Sequence, residues 1–198
     1  MDESRTRAPL PVELTTARLV LRCWRPDDAD ALLPVLEANR THLGPWIPAR
    51  VADPAPMAAL AQRLAGFAAA FSSDREWRFG MFSRNDGEVL GEIDLFPRTA
   101  TGRVALGDAD RAELGYWLRA DATGRGFVQE GARAVLDVAA RAAQFSCVEI
   151  HCDARNRPSV AVAARLGFVL TSEACPSDGT ASSSMQVWTR QLSSRPMA

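Results

Sequence analysis

The run Ala112-Glu113-Leu114-Gly115-Tyr116-Trp117-Leu118, followed by Arg119 to Thr123 and then Gly124-Arg125-Gly126-Phe127-Val128-Gln129-Glu130-Gly131-Ala132, decides how this chain reads. It is an alternating strand, a glycine loop and the start of a helix. The first turn of a helix carries N–H groups without intrahelical acceptors and the positive end of the macrodipole. Glycines at that point let the backbone approach phosphate oxygens, and a diphosphate suits the geometry. The other reading of Gly124 and Gly126 is a plain tight turn. A dinucleotide fingerprint would add a third glycine and an acidic residue about 20 positions on at a strand end. Neither stands in register here.

Downstream, Val128 to about Ala143 keeps helical spacing, Cys147 to Cys152 reads as a strand, and Pro158 to Leu166 reads as a short helix ended by Gly167. A last hairpin joins Phe168-Val169-Leu170 to Met185-Gln186-Val187-Trp188 across a polar loop, Pro176 to Ser183. Upstream, Arg18 to Arg22 alternates as a strand, and Asp27-Asp28 opens a helix over Ala29, Leu32, Leu33 and Leu36 that Pro34 should kink or shorten. An irregular proline-rich stretch around Gly44-Pro45-Trp46-Ile47-Pro48 precedes a helical stripe of Met57, Leu60, Leu64, Phe67 and Phe71, which is core packing. Trp77 to Phe82 and Val89 to Phe96 flank Asn85-Asp86-Gly87 as a hairpin, with Glu92, Asp94 and Phe96 on one face. The order of elements predicts an α/β chain of the α+β type, one mixed sheet with helices on both faces. Residues 1–11 and 193–198 read as flexible tails around a single domain, 12–192.

Composition narrows the chemistry. Acidic and basic residues nearly cancel at a formal charge of -1, which offers no field for nucleic acid or an anionic membrane. All 23 basic residues are arginine, so mechanisms that need a lysine Schiff base or a phosphate-loop lysine are excluded. Cys23, Cys147, Cys152 and Cys175 form no C-x-x-C pair and follow no secretory signal, which points to reduced thiols in a cytoplasm. With only His42 and His151 as imidazoles, far apart, no metal is expected. No apolar run approaches the roughly 20 residues of a membrane span.

The strand Glu113 to Leu118, the loop Gly124-Arg125-Gly126-Phe127-Val128 and the block Asn156-x-x-Ser159 closing in Arg165-Leu166-Gly167-Phe168 together resemble the GNAT superfamily of N-acetyltransferases. The opening Leu14 to Arg22, with Asp27-Asp28-Ala29 after it, is similar to the RimJ/RimL branch, and the resemblance runs from Leu14 to about Arg190. Two departures stand out. Thr123 and Val128 occupy positions where the family loop carries a long polar and a small residue, and Ala163 stands where many members place a tyrosine acid.

The resemblance implies a centrally splayed sheet and direct acetyl transfer from acetyl-CoA to a primary amine, on a protein N-terminus, a peptide or a small molecule. The alternative is a catalytically idle acyl-CoA-binding module. Backbone of Trp117, Leu118 and Arg119 would hold pantetheine, Gly124, Arg125, Gly126, Phe127 and Val128 the diphosphate, and Asn156 and Ser159 would contact the cofactor or cap a helix. Glu113 leads as general base with Glu92 and Asp94 as competitors, and the Ser159 hydroxyl is placed to assist the departing thiolate. Acceptor walls are expected from His42, Trp46 and Trp77, with Glu92 facing a cationic amine; the aromatics equally suit the core. A monomer or homodimer fits.

Overall fold

The computed structural model describes residues 10–141, 145–174 and 184–192. In chain order it contains strands β1 (Glu13–Thr15) and β2 (Leu19–Cys23), then helices α1 (Ala29–Leu43), α2 (Ala49–Ala52) and α3 (Met57–Ser72). Strands β3 (Trp77–Ser83), β4 (Val89–Thr99), β5 (Gly102–Arg103) and β6 (Arg111–Leu118) follow, then helix α4 (Phe127–Arg141) and strand β7 (Cys147–Asp153). Helix α5 (Arg157–Arg165) and strands β8 (Val169–Ala174) and β9 (Met185–Gln191) complete the described chain. The loop read at Pro176 to Ser183, Cys175 and the residues 193–198 lie outside the described residues, as do residues 1–9. Leu10, assigned to the tail by its sequence, is buried at 6% exposure in the core.

Strands pair in the order β1-β2-β3-β4-β6-β7-β9-β8, with β5 hanging from β4. Every neighbouring pair is antiparallel except β6 and β7, so the sheet is mixed. Both faces are covered, because alternating strand residues are apolar on each side. On one face Leu21, Met81, Ile93, Leu114 and Val148 pack under Ala132, Val135 and Leu136 of α4. On the other, Trp24, Phe82, Val89 and Trp117 lie under Leu36 of α1 and Leu60 and Leu64 of α3. A Cβ at Gly131 would lie only 3.4–3.6 Å from Met81, Leu21 and Leu19, so α4 sits close against β2 and β3.

Pro34 does not shorten its helix: α1 continues through it to Leu43. Burial of Leu36 and Leu43 outweighs one missing N–H bond. Asn39, on the last turns, reaches across to accept from the Ala120 amide at 2.7 Å and so ties α1 to the end of β6.

The decisive feature lies at the centre. Strands β6 and β7 pair only at Arg111–Cys147, Ala112–Val148 and Glu113–Glu149, after which Leu114 to Leu118 stays paired with β4 on one edge and has no strand partner on the β7 side. The paired end is clamped by Ser146, whose amide and hydroxyl both donate to the Asp110 carbonyl at 2.9 Å. At the last rung two carboxylates face each other, which by itself would repel. Arg98 spans them, with Nη1 2.6 Å from Glu113 Oε2 and Nε 3.5 Å from Glu149 Oε2. Arg111 adds a bond of 2.8 Å to Glu149.

Candidate active site

Above that clamp the strands part around a cavity of about 190 Å³ lined by Leu114, Gly115 and Tyr116 of β6, Ile150 to Asp153 of β7, Asn156 and Ser159 at the start of α5, and Pro45 to Ile47 with Met185 at its mouth. Antiparallel ladders alternate the direction of their backbone groups. The Arg119 amide donates to Leu90 on β4 and its carbonyl accepts from Ala122, so Arg119 has no backbone group left for the gap. Trp117 points the same way as Arg119, its carbonyl only 2.1 Å from where a Gly91 Cβ would stand on β4. Of the three residues expected to hold pantetheine by backbone, Leu118 alone turns its N–H and C=O toward the gap; Tyr116 and Leu114 share that direction.

The glycine loop leads straight from the gap into α4. Gly124 and Gly126 have φ of 73° and 80°, the left-handed region that suits glycine. The first helical bond is from Glu130 N–H to the Gly126 carbonyl at 3.1 Å, and the N–H groups from Arg125 to Gln129 find no acceptor among the described residues. Phe127 and Val128 bury their side chains, which leaves the loop's backbone outermost. Cations reinforce it: Arg18 and Arg125 lie 4.6 and 4.9 Å from the centre of the Phe127 ring. Arg18 also donates to the Arg125 carbonyl at 3.0 Å and to Glu130 at 2.7 Å. Burial works against the Glu130 charge, but bonds from Thr16 and Arg18 outweigh it and hold its carboxyl below the ordinary range. The unpaired amides, positive helix end and flanking guanidinium groups match a diphosphate, so these residues fit the CoA group.

At the other wall Asn156 caps α5 by accepting from the Ser159 amide, while both residues line the cavity. Capping and site-lining coexist there. The Ser159 hydroxyl lies 2.8 Å from the hydroxyl of Tyr116, the chain's one tyrosine. Burial pushes the Tyr116 phenol up, so it stays a donor; it also lies 3.3 Å from the Ser159 carbonyl. Ala163 on α5 is fully buried, and the phenol beside Ser159 comes from Tyr116 on β6.

Several expected site residues sit elsewhere. Trp77 is fully buried, edge-on to Phe145 with its indole bonded to Asp74, and is core. His42 is exposed near the end of α1 and lies outside the cavity, whereas Trp46, at 38% exposure, lines its mouth. Glu92 faces no acceptor: it is 2% exposed, with one oxygen 2.6 Å from Trp24 Nε1 and the other 2.9 Å from Arg78 Nη1. Glu113 is committed to Arg98 and Arg103, both at 2.6 Å, as the staple that ends the β6–β7 pairing. Each carboxylate oxygen thus faces a guanidinium, and Glu113 is absent from the cavity lining. Asp94 lies under Gly115 with Oδ2 3.3 Å from Arg78 Nη1 and Oδ1 without a partner among the described residues, and burial followed by the nearby Glu92 holds its carboxyl well above the ordinary carboxylate range.

Sequence reasoning missed Tyr116, His151, Cys152 and Arg18 as site residues. Tyr116 and His151 had a local signal, since each alternates along a strand bordering the gap; Arg18 is brought to Gly126 only by the tertiary fold.

Residues 18–169 match the acetyltransferase (GNAT) domain family, and the chain belongs to that family. It is a GNAT-type acyltransferase whose co-substrate is acetyl-CoA. Over 141 residues, covering 71% of this chain and 75% of the relative, it is 26% identical to a probable N-acetyltransferase, YjcK, of Bacillus subtilis (strain 168). It is 27% identical over 157 residues, 79% of this chain and 78% of the relative, to the ribosomal protein uS5-alanine N-acetyltransferase of Escherichia coli (strain K12). The crystal structure of the ribosomal-protein-S5-alanine acetyltransferase from Vibrio fischeri superposes with a TM-score of 0.77 at 20% identity, over 94% of this chain and all of that one. Among the described residues no helix is long and apolar enough to cross a membrane.

Proposed function

We propose that the protein transfers the acetyl group of acetyl-CoA directly to the N-terminal amine of a protein or peptide in the cytoplasm, as a monomer or homodimer. The observation that carries this reading is the three-rung β6–β7 pairing, which opens into a cavity bordered by Ser159 and Tyr116, with β6 leading along the chain into a loop of unpaired amides. The N-terminal acceptor is supported by the uS5-alanine relative and by the mouth, where Trp46 and Met185 are 38% and 45% exposed and offer apolar surface instead of an acidic lattice for a polycation.

In this reading Gly124 to Val128 hold the diphosphate and Leu118 bonds pantetheine, while Asn156 and Ser159 border its thiol end. Holding amine and thioester together removes the entropy of encounter, worth roughly 7–11 kcal/mol in good geometry. The amine lone pair attacks the thioester carbon, the C–N bond forms, and the oxyanion is met by an N–H on the gap side of β6, at Tyr116 or Leu118. Collapse breaks the C–S bond, and the thiolate leaves with its electron pair. Ser159 donates to it, with Tyr116 bonding the Ser159 oxygen so that the hydroxyl hydrogen stays free for sulfur.

A thiol-release assay with acetyl-CoA over N-terminal peptides, polyamines, aminoglycosides and amino acids tests the proposal. Release is expected with N-terminal peptides, best with small uncharged first residues. CoA binding without turnover on any amine would instead make the chain an acyl-CoA-binding module.

A further inference from the structure

An amine acceptor arrives mostly as ammonium and must lose a proton before it attacks, yet Glu92 and Glu113 are consumed by structural bonds. The titratable side chains that line the cavity itself are Tyr116, His151, Cys152 and Asp153. Burial raises the Tyr116 phenol and the Cys152 thiol, so both stay protonated. A bond from Arg155 at 2.7 Å holds Asp153 ionised and its carboxyl below the ordinary range, which makes it a poor base. Imidazole is, of the four, the chemistry suited to taking up a proton near neutrality.

His151 is also held as a base would be. Its Nε2 lies 2.8 Å from Glu149 Oε2, and Glu149 is fixed in turn by Arg111 at 2.8 Å. The same Nε2 is 2.8 Å from Arg98 Nη1, and a single ring nitrogen serves one of these at a time. Protonated, it donates to Glu149; bare, it accepts from Arg98. In the tautomer whose Nε2–H donates to Glu149, Nδ1 carries the lone pair, and its contact with Arg98 Nη1 is 3.4 Å, long beside the 2.6 Å bond that the same Nη1 gives Glu113. An imidazolium here faces Glu149 and Asp153 on its own strand, Glu113 and Arg111 on β6, Arg98 on β4 and Arg103 on β5. Its partner on β9 is the apolar Val187, and Pro45 to Ile47 cover the mouth without charge. Position completes the case. His151 lies beyond the last β6–β7 rung, and strand alternation puts it on the sheet face opposite Cys152.

We infer that His151, oriented by Glu149, is the general base that deprotonates the acceptor amine, an assignment that rests on the acetyl-transfer reading. The ammonium gives one proton to Nδ1, the C–N bond forms as the C–S bond breaks, and the second nitrogen proton replaces the one Ser159 gives to the thiolate. His151 then releases its proton to solvent, so ammonium and acetyl-CoA become amide, CoA thiol and one free proton.

The test is the pH dependence of kcat/KM for wild type and His151→Gln with the best peptide from the acceptor panel. Loss of at least about 30-fold and of the acid limb, with CoA affinity by calorimetry kept within about threefold, supports the base. An active wild type whose acid limb survives in His151→Gln overturns His151 and leaves acetyl transfer standing. A wild type that releases no thiol with any amine overturns both. The chain has two histidines, so in His42→Gln diethyl pyrocarbonate reaches His151 alone among imidazoles, whether or not His151→Gln folds. Inactivation in step with one carbethoxylated imidazole, measured against that variant's own rate, supports the assignment, and full activity after modification refutes it.

Discussion

Replacement of Gly126 separates the loop's role in binding from its role in folding. At φ 80° a Cβ would meet only Arg18 Nη2 at 3.6 Å, an ordinary contact. Gly126→Ala therefore adds no clash and costs the left-handed backbone, about 1–2 kcal/mol. Gly126→Asp carries no greater backbone cost, since Asp visits that region more readily. Its carboxylate also lies at the positive end of α4, which offsets about 0.3–1 kcal/mol. The Asp variant should thus melt at or above the Ala variant. Affinity for CoA runs the other way. A carboxylate about 5 Å from each of two diphosphate charges is repelled by about 0.8 kcal/mol per charge in bulk water and about 3 kcal/mol at an effective dielectric near 20. The sum, about 2–7 kcal/mol, is more than tenfold in Kd. Titration calorimetry with CoA and melting curves on the three proteins give both orders, and rising salt should narrow the binding gap. An Asp variant that binds CoA within about threefold of the Ala variant would refute the diphosphate site.

The buried Asp94 makes stability depend on pH. Its folded carboxyl titrates above the unfolded one, so its contribution is complete below the unfolded value and lost as pH rises through the folded value. The melting temperature of Asp94→Asn relative to wild type should therefore climb as pH rises above about 4, the unfolded carboxyl's range; a flat or falling difference contradicts this. Gly91→Ala would set a Cβ 2.1 Å from the Trp117 carbonyl and 2.9 Å from Leu118 Cα, backbone that cannot rotate aside. Destabilisation of at least about 2–3 kcal/mol is expected, a drop of about 4–12 °C in Tm, and an unchanged Tm would show that β4 and β6 shift freely. Ser159→Ala should lower kcat by about 10–100-fold. Tyr116→Phe should lower it less and add little to Ser159→Ala, because the two hydroxyls act as one unit; multiplicative losses would disconnect them.

Much of the fold is written locally. The alternation of Leu19-Val20-Leu21, the turn Asn85-Asp86-Gly87 and the helical stripe from Met57 to Phe71 each carry their own period, and the structure places β2, the β3–β4 hairpin and α3 there. Pro34 misleads because a propensity seen in isolation omits Leu36 and Leu43, whose burial sustains α1 beyond it. Strand β1 is three residues long, too short for any period to announce it.

The sequence by itself determined the strand, glycine loop and helix start on which the proposed diphosphate site rests, since dihedral freedom at Gly124 and Gly126 and unpaired first-turn amides are properties of adjacent residues. The charge roles were decided by the tertiary structure alone. Glu92, Asp94, Glu113 and Glu149 all alternate along strands and look equivalent in one dimension. Only the register that sets Glu113 against Glu149, and the arginines from β3, β4 and β5 that arrive beside them, make some carboxylates staples and leave His151 facing the gap. A carboxylate's role depends on which distant cation lies within about 4 Å of it, and that separation is set by chain crossing, not by spacing along the chain.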